Sequence, residues 1–172
     1  MSSGTARPIV RYGDPVLHAR CAEVTAFDAE LGQLVDDMVV SMASADGVGL
    51  AANQIGVPLR VFVFDCADAD DRRVQGHVVN PVLELPSGDD RRLDVDSEGC
   101  LSVPGPYADL GRPDRAVVTG LDRDGEPVRV EGTGMLARCL QHEVDHLDGI
   151  VFVDRLPRRE RKRVLSEAGL VG

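Results

Sequence analysis

Apolar residues in the first third of the chain recur with a helical period. Between Phe27 and Gly47, the residues Leu31, Leu34, Val35, Met38 and Met42 fall on one face, which predicts an amphipathic helix. Asp28 is the expected N-cap and Gly47 the expected stop. The next block, GVGLAANQIGVP, is rich in small residues and breaks at Pro58. The pattern then switches: RVFVFD, Arg60 to Asp65, alternates and is made of β-branched and aromatic residues, which predicts a strand. HVVNPVLEL, His77 to Leu85, predicts another strand, interrupted at Pro81. The polar stretch LPSGDDRRLDVDSEG, Leu85 to Gly99, is expected to be an exposed loop. Two alternating runs between Arg115 and Gly132 are joined by Arg123-Asp124-Gly125, a hairpin signal. Nothing breaks a helix from Met135 to Leu147, and Gly149 is its natural terminator. A short basic helix is expected at about residues 156–168. Strands and helices come in runs rather than in strict alternation, so the expected class is α+β with a mostly antiparallel sheet.

At 172 residues the chain is expected to be a single domain, 1–172, with neither internal repeat nor interdomain linker. A hydrophobic fraction of 43% beside 28% charged residues is the profile of a soluble globular protein. The N-terminal MSSGTARPIVRYGDP has no apolar core of a signal peptide, and no apolar run approaches the length of a bilayer span. The expected location is therefore the cytoplasm, with no membrane partner. A net charge of −10 argues against general nucleic-acid binding, which depends on neutralising phosphates. Cys21, Cys66, Cys100 and Cys139 form no CxxC pair. In a reducing compartment such cysteines act as small buried hydrophobes, ligands or nucleophiles.

The helix from Met135 carries CLQHEVDHLDG, Cys139 to Gly149. At about 100° per residue, Met135, Cys139, His142 and His146 fall within about 60° of one another. His142 and His146 thus share a face one turn apart, with Cβ atoms ~5–6 Å from each other. Both imidazoles can reach one metal ion from there. Glu143 is offset from the pair, so it can stand beside a metal and take a proton from an activated water. The alternative is a helix bearing two solvated histidines. Apolar Met135, Leu136, Leu140 and Leu147 favour a buried helix, and buried histidines need partners. A catalytic metal usually has three protein ligands. The extended pattern HExxHxxGxxH would place a third histidine at position 152, where Phe152 stands. His18 and His77 have no supporting context. Cys100 has one: it lies in SEGCLSVPG, in a short strand beyond the polar stretch, and a thiolate suits the softer first-row metals.

Three blocks stand in order: GVGLAANQ (Gly47 to Gln54), EGCLS (Glu98 to Ser102) and QHEVDHLDG (Gln141 to Gly149). Together they resemble the three motifs of the peptide deformylases, at comparable spacing. The similarity extends from RYGDPVLHARCAEV near the start to FVDRL, ending at Leu156. The resemblance implies antiparallel strands around a central metal-bearing helix, and removal of the formyl group from N-formylmethionine on nascent peptides. It implies one divalent metal per chain on Cys100, His142 and His146, usually ferrous iron, with Zn2+, Ni2+ or Co2+ able to occupy the same site. Glu143 would be the proton acceptor. The Gln54 amide and the backbone N–H of Leu101 would steady the oxyanion.

By the same resemblance Gly49, with Val48 beside it, holds the substrate backbone, although a simple turn explains the glycines equally. Cys139 would line the methionine pocket as a small hydrophobe, with Cys21 and Cys66 structural. Glu98, its ion-pair partner Arg112, and Gln141 would support the ligands; Asp145 is either another support or solvated. Two positions depart from the family pattern. Arg138 stands where an aliphatic residue often lines the pocket, and Tyr107 where an arginine often sits at its rim. The segment VDRLPRRERKR, Val153 to Arg163, is basic. It reads either as a dock for ribosomal RNA, without sequence specificity, or as a solvated helix.

Overall fold

The structure, a computed structural model, describes residues 3–170. Ten elements follow in order: α1 (Ala29–Ser44), β1 (Gly49–Ala51), β2 (Val61–Ala67), β3 (Arg73–Glu84), β4 (Leu93–Cys100), β5 (Val103–Pro113), β6 (Arg115–Leu121), β7 (Pro127–Thr133), α2 (Gly134–Leu147) and α3 (Arg158–Glu167). The strands form a five-stranded sheet ordered β1-β2-β3-β6-β7 and a separate pair β4-β5, every neighbour antiparallel. The class is α+β, as the run-wise order of elements predicts. No helix among the described residues is long and apolar enough to cross a membrane.

The large sheet is sandwiched. On one face Phe62, Phe64, Val78 and Val118 meet Leu136, Leu140, Val144 and Leu147 of α2. On the other, Val61, Val63 and Val79 meet Leu31, Leu34, Val35 and Met38 of α1. Successive β2 side chains point to opposite faces, so a strand covered on both sides carries apolar residues at both parities. That is why VFVF is continuous. A third cluster seats Val164 and Leu165 of α3 against Val103 and Ala108 of β5, with Leu17 and Phe152.

Asp28 caps α1 as expected, its carboxylate accepting from the Leu31 N–H at 3.1 Å. The stop lies earlier than Gly47. The helix ends at Ser44, and Asp46, at φ 56°, makes the left-handed reversal. Aspartate tolerates that conformation better than most residues. Pro81 does not interrupt β3. It sits in a bulge between Val79 and Val82, where the ladder to β6 lapses and a missing N–H costs nothing.

The polar stretch behaves differently from the expectation: from Leu93 onward it is strand β4, paired to β5 along its length. Its polarity is inverted. Glu98 is buried, whereas Leu93 and Val95 are exposed at 62% and 67%. Backbone pairing and a buried carboxylate hold the strand, so no apolar face betrays it in the sequence. The β6–β7 hairpin turns through Asp122–Glu126 with Gly125 at φ 82°. Helix α2 ends at Leu147 with Asp148 as its C-cap, and Gly149 at φ 80° turns the chain away.

Candidate active site

Helix α2 presents His142 and His146 from successive turns, their Nε2 atoms 3.1 Å apart. Cys100, the last residue of β4, brings Sγ to 3.3 Å from His146 Nε2. The donor atoms of Cys100, His142 and His146 all lie within 4.8 Å of one another. Phe152, at the position that the longer zinc pattern would give to a histidine, stacks on the His142 ring, with centroids 6.2 Å apart.

The orientation of His142 is set from behind. Its Nδ1 lies 2.8 Å from Glu98 Oε2. In the neutral ring, with the Nδ1 proton donated to that carboxylate, Nε2 would face the other donors as a bare lone pair. Without an ion, burial lowers the ring's pKa, but Cys100 and Glu98 outweigh it and hold it well above its usual range. Arg112 grips Glu98 as a fork, Nε to Oε1 and Nη2 to Oε2, both at 2.7 Å. Burial alone would raise the Glu98 carboxyl, but the Arg112 and His142 hydrogen bonds and charges outweigh it and hold the carboxyl far below its usual range. Arg112 also reaches Asp145 at 3.0 Å. Asp145 is buried, not solvated, and Arg155 closes on both its oxygens at 2.7 and 2.8 Å. His146 is tied from its backbone, its carbonyl accepting from Asn53 Nδ2 at 2.6 Å.

Glu143 is fully buried beside the donors, and its Oε1 has no hydrogen-bond partner among the described residues. Burial pushes its carboxyl up to about 7, with the His142 charge opposing and that of Glu98 reinforcing. A buried carboxyl with a free oxygen is a proton acceptor in waiting.

Gln54 stands in the 3-10 turn Ala52–Ile55. Its Oε1 accepts from the Ala51 N–H at 3.0 Å, which turns Nε2 toward Ser102 Oγ at 3.1 Å and Cys100 Sγ at 3.6 Å. Leu101 follows Cys100 in the turn to β5 and lines a cleft of about 400 Å³ with Val48, Gly49, Cys139 and Glu143. Gly49 leaves room for two side chains that a larger residue would displace. A Cβ there would stand 2.7 Å from Glu143 Oε2 and 2.8 Å from Cys139 Sγ. Cys139 Sγ lies 3.6 Å from the Val48 carbonyl, in the cleft wall.

The structure brings together Val48, Gly49, Gln54, Glu98, Cys100, Leu101, Arg112, Cys139, His142, Glu143 and His146. Gln141 does not join them; its amide donates to the Pro113 and Ala137 carbonyls, bracing α2 against the end of β5. His18 and His77 are engaged elsewhere, accepting from the Gly13 and Arg123 N–H groups. Asn53, Ser102 and Arg155 escape a reading of the sequence. Asn53 and Ser102 are flanked by motif residues, but Arg155 is masked by the basic run around it.

An antiparallel α+β frame whose central helix offers two histidines and an unpartnered glutamate to a facing cysteine is the arrangement of a metallohydrolase. Residues 6–162 match the model of the polypeptide deformylase family, and the chain belongs to that family. Peptide deformylase 1 of Streptomyces avermitilis is 59% identical over 165 residues, 95% of this chain and 76% of the relative. Peptide deformylase 2 of Streptomyces coelicolor is 55% identical, covering 95% and 90%. Among solved structures, the peptide deformylase of Ehrlichia chaffeensis superposes with a TM-score of 0.86 at 34% identity over 96% of each chain. That of Synechococcus elongatus in complex with actinonin gives 0.84 at 40% identity, over 95% of this chain and 88% of its own. The chain is thus an enzyme that hydrolyses the N-formyl group from newly made polypeptides.

Proposed function

We propose that this chain works as one deformylase domain in the cytoplasm, with Cys100, His142 and His146 holding a single divalent metal ion. The donors fit such an ion. A thiolate and two imidazoles converge within 4.8 Å, and Glu98 leaves the His142 Nε2 lone pair facing inward. This soft, mixed set suits ferrous iron, with zinc, nickel or cobalt able to replace it. When bound, the ion supplies Lewis acidity, easing deprotonation of a water and polarising the formyl oxygen.

The remaining work falls to the chain. Glu143 Oε1 accepts a proton from the attacking water and then delivers it to the amine that leaves as formate is released. Gln54 Nε2 and the Leu101 N–H donate to the oxygen that gains negative charge at the formyl carbon. The Ala51 N–H fixes the orientation of the Gln54 amide, and the Nε2 hydrogen that the long contact to Cys100 Sγ engages is the one to be redirected. Val48 and Gly49 run beside the substrate backbone, and Cys139 forms part of the wall against the methionine side chain. Glu98 and Arg112 hold the ligands in register, and Gln141 braces the helix. Arg158, Arg159 and Lys162 are exposed on α3 and support docking on ribosomal RNA. Arg163, by contrast, is spent on Glu160 and Glu167.

The observation that carries this reading is the convergence of Cys100, His142 and His146 beside a Glu143 oxygen with no partner. Formate release from a formyl-Met tripeptide tests it, using protein purified without oxygen in ferrous and zinc forms, with an acetyl-Met peptide in parallel. Fast, formyl-selective turnover is the expected outcome. Stoichiometric metal without turnover in either form would sink the reading.

Gly49→Ala is expected to lower kcat/KM for that peptide by on the order of 10²-fold, because the added methyl displaces the Glu143 carboxylate. Thermal unfolding should shift far less than for a core truncation. Parent-like kinetics would mean that the cleft widens to admit the methyl group.

A further inference from the structure

Arg138 lies on α2 one turn before His142, buried in the wall of the cleft. A cation aimed into that space would lose hydration against an apolar side chain. Its guanidinium is engaged elsewhere. Nη1 donates to Glu98 Oε1 at 3.0 Å and to the Leu110 carbonyl at 2.8 Å, and Nη2 donates to the Asp94 carbonyl at 2.8 Å. Asp94 and Glu98 belong to β4 and Leu110 to β5, so one side chain on the helix grips both strands of the pair.

The β4–β5 pair ends in Cys100 and shares no ladder with the five-stranded sheet against which α2 packs. Main-chain pairing therefore does not set the separation between Cys100 and the histidines. Side chains crossing between hairpin and helix set it: Glu98 to His142, Arg112 to Asp145, Gln141 to the Pro113 carbonyl, and Arg138 to Glu98 and the two carbonyls. Arg112 holds Glu98 from within the hairpin, since it stands opposite Asp94 on β5. Arg138 pulls Glu98 from the helix.

We propose that Arg138 is a positioning residue, clamping the Cys100 hairpin to the histidine helix through Glu98 and the strand carbonyls, and offering the cleft only its aliphatic stem. It thereby sets how tightly the donors grip one ion. This rests on the reading that Cys100, His142 and His146 are the ligands. An aliphatic side chain at this position would fill the wall equally well but could not clamp. An arginine here thus serves the metal rather than the substrate.

The test uses the full chain loaded with cobalt(II), whose thiolate-to-metal absorption reports the Cys100 bond. Release to excess chelator is timed for the parent, Arg138→Met and Arg138→Lys, and KM and kcat are measured on a formyl-Met peptide. Arg138→Met keeps the stem and removes the fork; it should release cobalt at least about tenfold faster, as loss of a residue behind the ligands typically does. Its KM should stay at the parent value while kcat falls. Arg138→Lys keeps the charge but gives up the second prong that reaches the Asp94 carbonyl, and should lie between.

Release from Arg138→Met at the parent rate overturns the proposal, as does a raised KM with unchanged release, which would make Arg138 a substrate contact. Should Arg138→Met fail to fold by circular dichroism, Arg138→Lys decides, and parent-like release from it is the overturning result. A parent that takes up cobalt without thiolate absorption overturns the ligand assignment, and the clamp with it.

Discussion

Glu143→Ala is expected to keep the metal ion and to lower formate release by on the order of 10³-fold, the usual scale of a lost general base. The carboxyl is not among the converging donors, so the ion keeps its thiolate and both imidazoles. What disappears is the acceptor whose Oε1 has no other partner among the described residues. Metal content by atomic absorption, measured beside turnover, checks both halves. A variant that loses the ion as well would make Glu143 a ligand.

Burial also makes this carboxyl a cost to the metal-free fold. Its folded pKa of about 7 lies above the ordinary 4.5. Its contribution to stability is therefore complete below pH 4.5 and is lost as pH rises through 7. Glu143→Gln stays neutral throughout. Metal-free Glu143→Gln is expected to be more stable than the metal-free parent above pH 7, by about 2–3 kcal/mol, and no more stable near pH 4. Denaturant unfolding at the two pH values measures the difference. Equal stabilities at high pH would show that the site admits enough water to solvate the charge. The base is thus bought with stability, a common trade at catalytic sites.

Cys100→Ala is expected to abolish metal binding at stoichiometric concentration and reduce turnover to background. It removes one of the protein donors converging within 4.8 Å, and does so from the element that faces the helix. The loss in affinity should exceed the roughly 10²-fold that follows from disturbing residues behind a ligand. Helix α2 should survive, because its buried face is built from Leu136, Leu140, Val144 and Leu147 and not from the ion. Chelator competition and circular dichroism together test this. Tight binding by Cys100→Ala would move the third ligand elsewhere. Compared directly, the Cys100 and Glu143 variants separate holding the ion from moving the proton.

Much of the site is legible in the chain because its spacing is local. Histidines four apart share a helix face whatever surrounds them, and a glutamate between them is offset by the same geometry. Asp28 and Gly149 mark helix ends for equally local reasons. The fold class follows from the order of the runs, and the outline of β2 from its alternating β-branched and aromatic residues. Strand β4 is different. Its exposed leucine and valine and its buried glutamate reverse the pattern by which a half-buried strand is recognised, so it reads as loop. Pro81 sitting inside a bulge likewise depends on a partner strand remote in sequence, whereas the Asp46 reversal is closed by the local bond from the Gly47 N–H to the Met42 carbonyl.

By itself the sequence determined the residue types that can carry the chemistry, the helix that presents the histidines, and the absence of a third histidine at position 152. Only the tertiary structure decided how Cys100 meets that helix, that Asp145 is paired rather than solvated, and that the Arg138 guanidinium is held by Glu98 and two strand carbonyls. The physical reason is range. Dihedral preference and helical period act over a few residues, whereas Glu98 finds Arg138 and His142 across 40 and 44 positions of chain. Such pairings exist only after the sheet and helices have packed, and burial then makes each unpaired charge too costly to leave.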